Sequence, residues 1–143
     1  MMGDAERIKA LRERTGKSSS EIASLAGLGE MEYFDLEFHD DELVSVPSLA
    51  KIRRLADALG VRTAALFSDE PNVVQRHTSY AELVLLVKAH LAAGISKEAF
   101  EDEIGWDLDA FLDSEQRALS EYGVEFLQAL CPCVGIAWMA ALP

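Results

Sequence analysis

Apolar residues recur at intervals of three and four along nearly the whole chain, and Val, Ile and Thr do not cluster into alternating runs. That spacing is helical, so the sequence predicts an all-α protein. The first predicted helix, AERIKALRERT, turns Ile8 and Leu11 inward and is stopped by Gly16. A second starts at Ser18, which forms a capping-box pattern with Glu21. Ile22, Leu25 and Ala26 are its apolar stripe, and Gly27 supplies a turn. A third runs from about Glu30 to Glu37 with Tyr33 and Leu36 inward, and FHDDELVSVP reads as a loop closed by Pro47. SLAKIRRLADAL buries Leu49, Ile52, Leu55 and Ala56 and ends at Gly60, and VRTAALF closes the block as a short helix. SDEPNVVQRHTSY is polar, contains a proline and reads as a linker. The helical pattern resumes at Ala81.

The second block repeats the first. Shifted by 78 positions, Gly16 meets Gly94, Ser18 meets Ser96, Ile22 meets Phe100, Gly27 meets Gly105, Leu28 meets Trp106, Tyr33 meets Phe111 and Glu37 meets Glu115. Past the loop the shift is 75, and Leu49 meets Val124, Ile52 meets Leu127, Leu55 meets Leu130 and Gly60 meets Gly135. Most pairs are apolar with apolar or Gly with Gly. The expected organisation is therefore a unit at 1–67, a linker at 68–80 and a divergent second copy at 81–143. Pro132 removes a helical hydrogen bond near Gln128, so the last long helix should kink or begin anew there.

The motifs of the first unit are LRERTG, SSSEIA, the Gly turn, the Glu that closes the third helix, and PSLAKIRRLADALGV. Over about residues 5–67 this set resembles the Cro/repressor-type (XRE-type) helix-turn-helix family. The resemblance implies tandem lambda-repressor-like bundles of four to five helices each. It also implies a DNA-binding transcriptional regulator whose third helix enters the major groove. The residues it would turn toward DNA are Ser18, Ser19, Gly29, Glu30, Met31, Glu32, Phe34, Asp35 and Lys51. It implies as well that Arg12 pairs with Glu37 and ties the third helix to the scaffold.

Charge complicates that expectation. The chain of 143 residues has 13 Lys+Arg against 25 Asp+Glu, a net charge of -12. From Ser18 to Ala50 there is no Lys or Arg, while Glu21, Glu30, Glu32, Asp35, Glu37, Asp40, Asp41 and Glu42 fall in the same interval. Specific DNA complexes rest on neutralised phosphates, and base contacts add discrimination only afterwards. One carboxylate can accept from a cytosine amino group, but several in a groove walled by phosphates are repelled. Two unit charges 4 Å apart repel by about 4 kcal/mol at an effective dielectric near 20. The cations gather elsewhere, Arg7, Lys9, Arg12, Arg14 and Lys17 on or after the first helix, and Lys51, Arg53, Arg54 and Arg62 on or after the fourth. They read either as phosphate clamps or as solvated partners of the acidic faces.

Two readings stay open. One is a DNA-binding regulator. The other keeps the helix-turn-helix fold but uses its acidic helices to hold a basic protein, a toxin or a second copy of the chain. The second unit is acidic too, through Glu101, Asp102, Glu103, Asp107, Asp109, Asp113 and Glu115, and is not expected to touch DNA. Its bulky Phe100, Phe111 and Phe126 read as core, with Trp106 and Trp138 as possible interface residues. Cys131 and Cys133 fall where Ala56 and Ala58 stand in the first unit, so they read as small apolar residues rather than metal ligands. No phosphate loop and no nucleophile with a base are present. The expectation is a non-enzymatic protein without cofactor or metal. No apolar run is long enough to span a membrane and no secretory signal is visible, which points to the cytoplasm.

Overall fold

The computed structural model describes residues 2–70 and 76–143. Residues 71–75 of the expected linker lie outside that range. The described chain is all-helical. Its first half holds α1 (Asp4–Thr15), α2 (Ser19–Ala26), α3 (Glu30–Phe38), α4 (Glu42–Ser45), α5 (Leu49–Leu59) and a 3-10 turn at Thr63–Leu66. The second half holds α6 (Tyr80–Ala92), α7 (Lys97–Ile104), α8 (Asp109–Asp113), α9 (Glu115–Glu121), α10 (Val124–Cys133) and a 3-10 turn at Trp138–Ala141.

Local chemistry sets most of the boundaries. Ser18 accepts from the Glu21 N–H while Glu21 accepts from the Ser18 N–H, so the capping box at α2 is complete. The same reciprocal cap, Ser79 with Glu82, starts α6 one residue before Ala81. Gly16, Gly27 and Gly60 end α1, α2 and α5 in the left-handed conformation, and Gly105 ends α7 in the same way. Gly27 has a second reason to be glycine, because a side chain there would meet the Arg54 guanidinium laid across the turn.

Three expectations are corrected. The segment taken as loop contains α4, because Leu43 is fully buried and draws one helical turn into the core. Leu25 is not part of the buried stripe of α2. It is 53% exposed, since Ile22, Ala23 and Ala26 already fill the inward face. Finally, α10 does not begin anew at Pro132 but continues through it to Cys133. The proline sits in the last turn, where only one hydrogen bond is lost before the helix ends.

The order of elements in the second half parallels that of the first, and residues at matching positions share burial. Ile22 and Phe100, Tyr33 and Phe111, Leu49 and Val124, Ile52 and Leu127, Leu55 and Leu130, and Ala56 and Cys131 are all buried. The halves are not separate bodies with separate interiors. One apolar cluster runs from Ile8 through Leu43, Leu49 and Phe111 to Leu142.

The join between them is also hydrogen-bonded. The Leu49 N–H donates to the Tyr122 carbonyl at 2.8 Å, and Ser48 and Gly123 form an antiparallel bridge. Gly123 has no Cβ, and one would stand 3.0 Å from the Pro47 carbonyl oxygen, so the close approach of the two backbones needs glycine. At the far end the Thr63 hydroxyl donates to the Pro143 carbonyl at 2.6 Å.

Two buried tyrosines make a test of this packing. The Tyr122 hydroxyl accepts from the buried Phe111 N–H at 3.2 Å and donates to the Asp107 carbonyl at 2.8 Å. The Tyr33 hydroxyl is buried without a hydrogen-bond partner. Tyr122→Phe should therefore lower the unfolding free energy by about 1–3 kcal/mol, because a buried donor is orphaned. Tyr33→Phe, whose hydroxyl lies beside the Arg12–Glu37 pair without meeting it in hydrogen-bond geometry, should cost less than Tyr122→Phe. Urea denaturation of both variants measures the contrast.

Candidate functional site

The face to which the sequence pointed is built by α2 and α3, joined through Gly27, Leu28 and Gly29. Leu28 is buried and pins the turn, while Tyr33 and Leu36 bury the inner side of α3. The outer side of α3 is left with Glu30, Met31, Phe34, Asp35 and Phe38. Met31 is 70% exposed, Phe34 47% and Phe38 63%. These three stand at i, i+3 and i+7, so they form one stripe along the helix. Phe34 and Phe38 stack with ring centroids 4.2 Å apart. Beside the stripe lies a groove of about 440 Å³ between α1, α2 and α3, bounded by Lys9, Ser19, Ser20, Met31 and Phe34 among others.

The acidic residues of this face are largely engaged within the molecule. Glu30 accepts from the Ser20 hydroxyl at 2.9 Å. Glu32 accepts from the Gly29 N–H at 3.2 Å, capping α3, and pairs with Lys51 at 3.0 Å. The Lys51 partner and the Gly29 N–H hold the Glu32 carboxyl below its usual range. Lys51, the cation singled out as a phosphate contact, therefore spends its charge on the helix meant to read DNA. Ser18 is occupied in its cap, while Ser19 is exposed at the start of α2.

Arg12 and Glu37 meet as a fork. Arg12 Nε donates to Glu37 Oε2 at 2.7 Å and Nη2 to Oε1 at 3.0 Å. Nη1 reaches the Lys17 carbonyl at 3.4 Å. The pair locks the end of α3 to α1. The second half lacks this pair: His90 stands where Arg12 would and lies against the Phe100 ring, and Glu115 opens α9 on the surface.

The sequence reading missed Arg7. It belongs to no solvated basic face, being 6% exposed, and its guanidinium donates to Asp4, Asp69 and the carbonyls of Met2 and Leu66. Its i,i+3 spacing from Asp4 was the one legible signal. With Arg7, Arg12 and Lys51 engaged, the first unit's cations without an ion pair among the described residues are Lys9, Arg14, Lys17, Arg53, Arg54 and Arg62.

Trp106 is half-buried with its edge toward Phe126, and Trp138 is half-buried with its edge toward Phe67. Trp138 thus seals the second half against the first. Cys131 is buried, and burial pushes its thiol up to about 12. Cys133 is half-buried, with its sulfur 3.7 Å from Glu103. A trio of carboxylates, Glu101, Asp107 and Asp109, brings oxygens within 4.8 Å of one another. Lys97 lies among them, 2.6 Å from Asp109 and 3.2 Å from Glu101, and Glu101 also accepts from the Leu108 N–H. These contacts account for the trio as a structural cluster around a lysine. No helix among the described residues is long and apolar enough to cross a membrane.

No family model matches the chain, and no curated protein does. A solved structure named SinR protein/SinI protein complex is similar at 24% identity, over 68% of this chain and 87% of that one, with a TM-score of 0.40. A likeness of that size says nothing about function.

The Arg12–Glu37 fork has a pH signature. Burial works to raise the Glu37 pKa, but the guanidinium outweighs it and holds the carboxyl below its ordinary 4.5. The unfolded chain thus takes up this proton at a higher pH than the folded one. The fork's contribution is complete above that range and is lost as pH falls through the lower folded value. At neutral pH, Glu37→Gln should cost about 1–3 kcal/mol, the range for a hydrogen bond to a charged group. The gap between variant and parent should narrow below pH 4.5, as read by denaturant titrations across the acid range.

Proposed function

We propose that this chain is a non-enzymatic regulator of the Cro/repressor-like helix-turn-helix type, built from two related units. We place its working surface on the outer face of α3, which engages a protein rather than the major groove. The observation that carries the reading is the composition of that face. A recognition helix for DNA needs donors and nearby cations. Here the helix offers Met31, Phe34 and Phe38 to solvent, flanked by Glu30 and Asp35, and the nearest expected phosphate contact, Lys51, is paired with Glu32. Clustered exposed aromatics and Met with an acidic rim are what a protein interface uses, not what a phosphate-lined groove accepts. The acidic rim selects a partner with a basic surface.

DNA binding through the same unit is the second reading, and one observation favours it. Lys17 and Ser19 stand exposed at the N-terminus of α2, where a phosphate would find a cation, a hydroxyl and free backbone N–H groups.

Two measurements separate these readings. Fluorescence anisotropy with mixed-sequence duplex DNA at low salt should show no saturable binding. A salt-sensitive affinity that Lys17→Glu reduces would overturn the protein reading. In parallel, cross-linking in cells should yield a defined partner with the parent chain. Met31→Asp with Phe38→Asp should lose it while keeping the helical circular-dichroism signal, because both side chains are exposed.

A further inference from the structure

The seam between the two halves holds a chamber that the α3 reading does not use. Seven of its wall residues, Leu49 on α5, Leu83 on α6, Phe111, Ala118, Tyr122, Phe126 and Leu127, are at most 5% exposed. Its volume is about 170 Å³. A dry apolar cavity of roughly 150 Å³ is enough to take a benzene ring. The two tyrosine hydroxyls in its walls are spoken for. Tyr80 donates its hydroxyl to the Phe111 carbonyl, and the Tyr122 hydroxyl is saturated by Phe111 and Asp107. Water would therefore find few partners inside.

The mouth is different. Arg53 and His77 line the chamber, and both also line a larger open cleft of about 620 Å³ that contains Arg62. Arg53 and Arg62 make no ion pair with any described residue. Arg53 thus offers a guanidinium without an ion pair beside an apolar hole, with His77 in the same lining. Asp57 lies in the outer cleft and Glu115 on the chamber's rim. A second negative charge on a ligand would meet one of them.

We propose that this seam binds a small aromatic monocarboxylate, with its ring in the chamber and its carboxylate at Arg53 and His77. Guanidinium and carboxylate match as a two-pronged pair, and the ring replaces a void with van der Waals contacts. The ligand would touch α5 of the first half and α6, α8, α9 and α10 of the second. Bound, it would stiffen the join on which the orientation of the two halves depends.

Phenylacetate is a suitable probe, followed by chemical-shift changes in backbone amide spectra of the full chain. Saturable binding at millimolar concentrations or below should shift amides around Leu49, Phe111 and Leu127. Arg53→Gln should weaken it by about tenfold or more, the loss of one charge-assisted contact. Phenylacetamide should bind comparably more weakly than phenylacetate. Leu119→Phe, which fills the chamber from a half-buried position, should abolish binding without lowering the melting temperature. No saturable shift would overturn the proposal, as would unchanged affinity in Arg53→Gln or in Leu119→Phe. None of these outcomes depends on whether α3 binds a protein.

Discussion

A helical unit of some sixty residues buries only about 60% of the surface its unfolded chain exposes, which leaves it marginal on its own. The architecture depends on how that shortage is met. The two halves share one apolar cluster, and the shared part is hydrogen-bonded through the Leu49–Tyr122 contact. The close approach of Pro47 to Gly123, the half-buried Trp138 against Phe67 and the Thr63–Pro143 contact all serve the same join. A single core built by two similar units also explains why bulky side chains crowd the second one. Phe100, Phe111, Tyr122 and Phe126 are buried in the shared cluster, and Tyr122 and Phe126 stack with centroids 3.8 Å apart.

Charge is the second constraint, and it acts locally. The surplus of carboxylates does not produce a uniformly repelled surface, because the cations of the first unit are placed where they hold helices in register. Arg7 is buried among Asp4, Asp69 and two carbonyls, Arg12 clamps Glu37, and Lys51 faces Glu32. Each pair joins segments distant in sequence, apart from Asp4 with Arg7. Truncating one partner of a buried pair is costly even where the pair itself contributes little. These three cations are held within the scaffold, while Lys9, Lys17 and Arg54 stay without an ion pair among the described residues near α2 and α3.

Much of this was legible in the sequence, and the limits have physical causes. Caps and glycine stops are local chemistry, so Ser18 with Glu21, Gly16, Gly27 and Gly60 could be placed from neighbours alone. The inward faces of α1, α3 and α5 followed from periodicity because each of those helices buries one side only. Leu25 was misplaced because periodicity marks an apolar stripe but not how wide a stripe the neighbouring helices can cover. Leu43 was missed because a single buried residue in a polar stretch carries no period. Arg7 was misread because a buried cation looks like an exposed one until Asp69 and the Leu66 carbonyl are brought to it by the fold. Met31 and Phe34 of the exposed stripe were named, but Phe38 was assigned to the loop, and the stripe's exposure could not be read from type, since the same residues at the same spacing usually face a core.

The order of elements is alike in the two halves, and the matched positions that pack are alike in kind, while those on the surface are not. No Arg–Glu fork ties α8 to α6 among the described residues, His90 lying against Phe100 instead, and α8 is five residues long where α3 has nine. A shortened, unclamped α8 cannot present the stripe that α3 does, and its Phe111 is turned inward to meet Tyr80 and Phe126. The first half's α3 keeps three exposed apolar side chains while its inner face packs on α1 and α2.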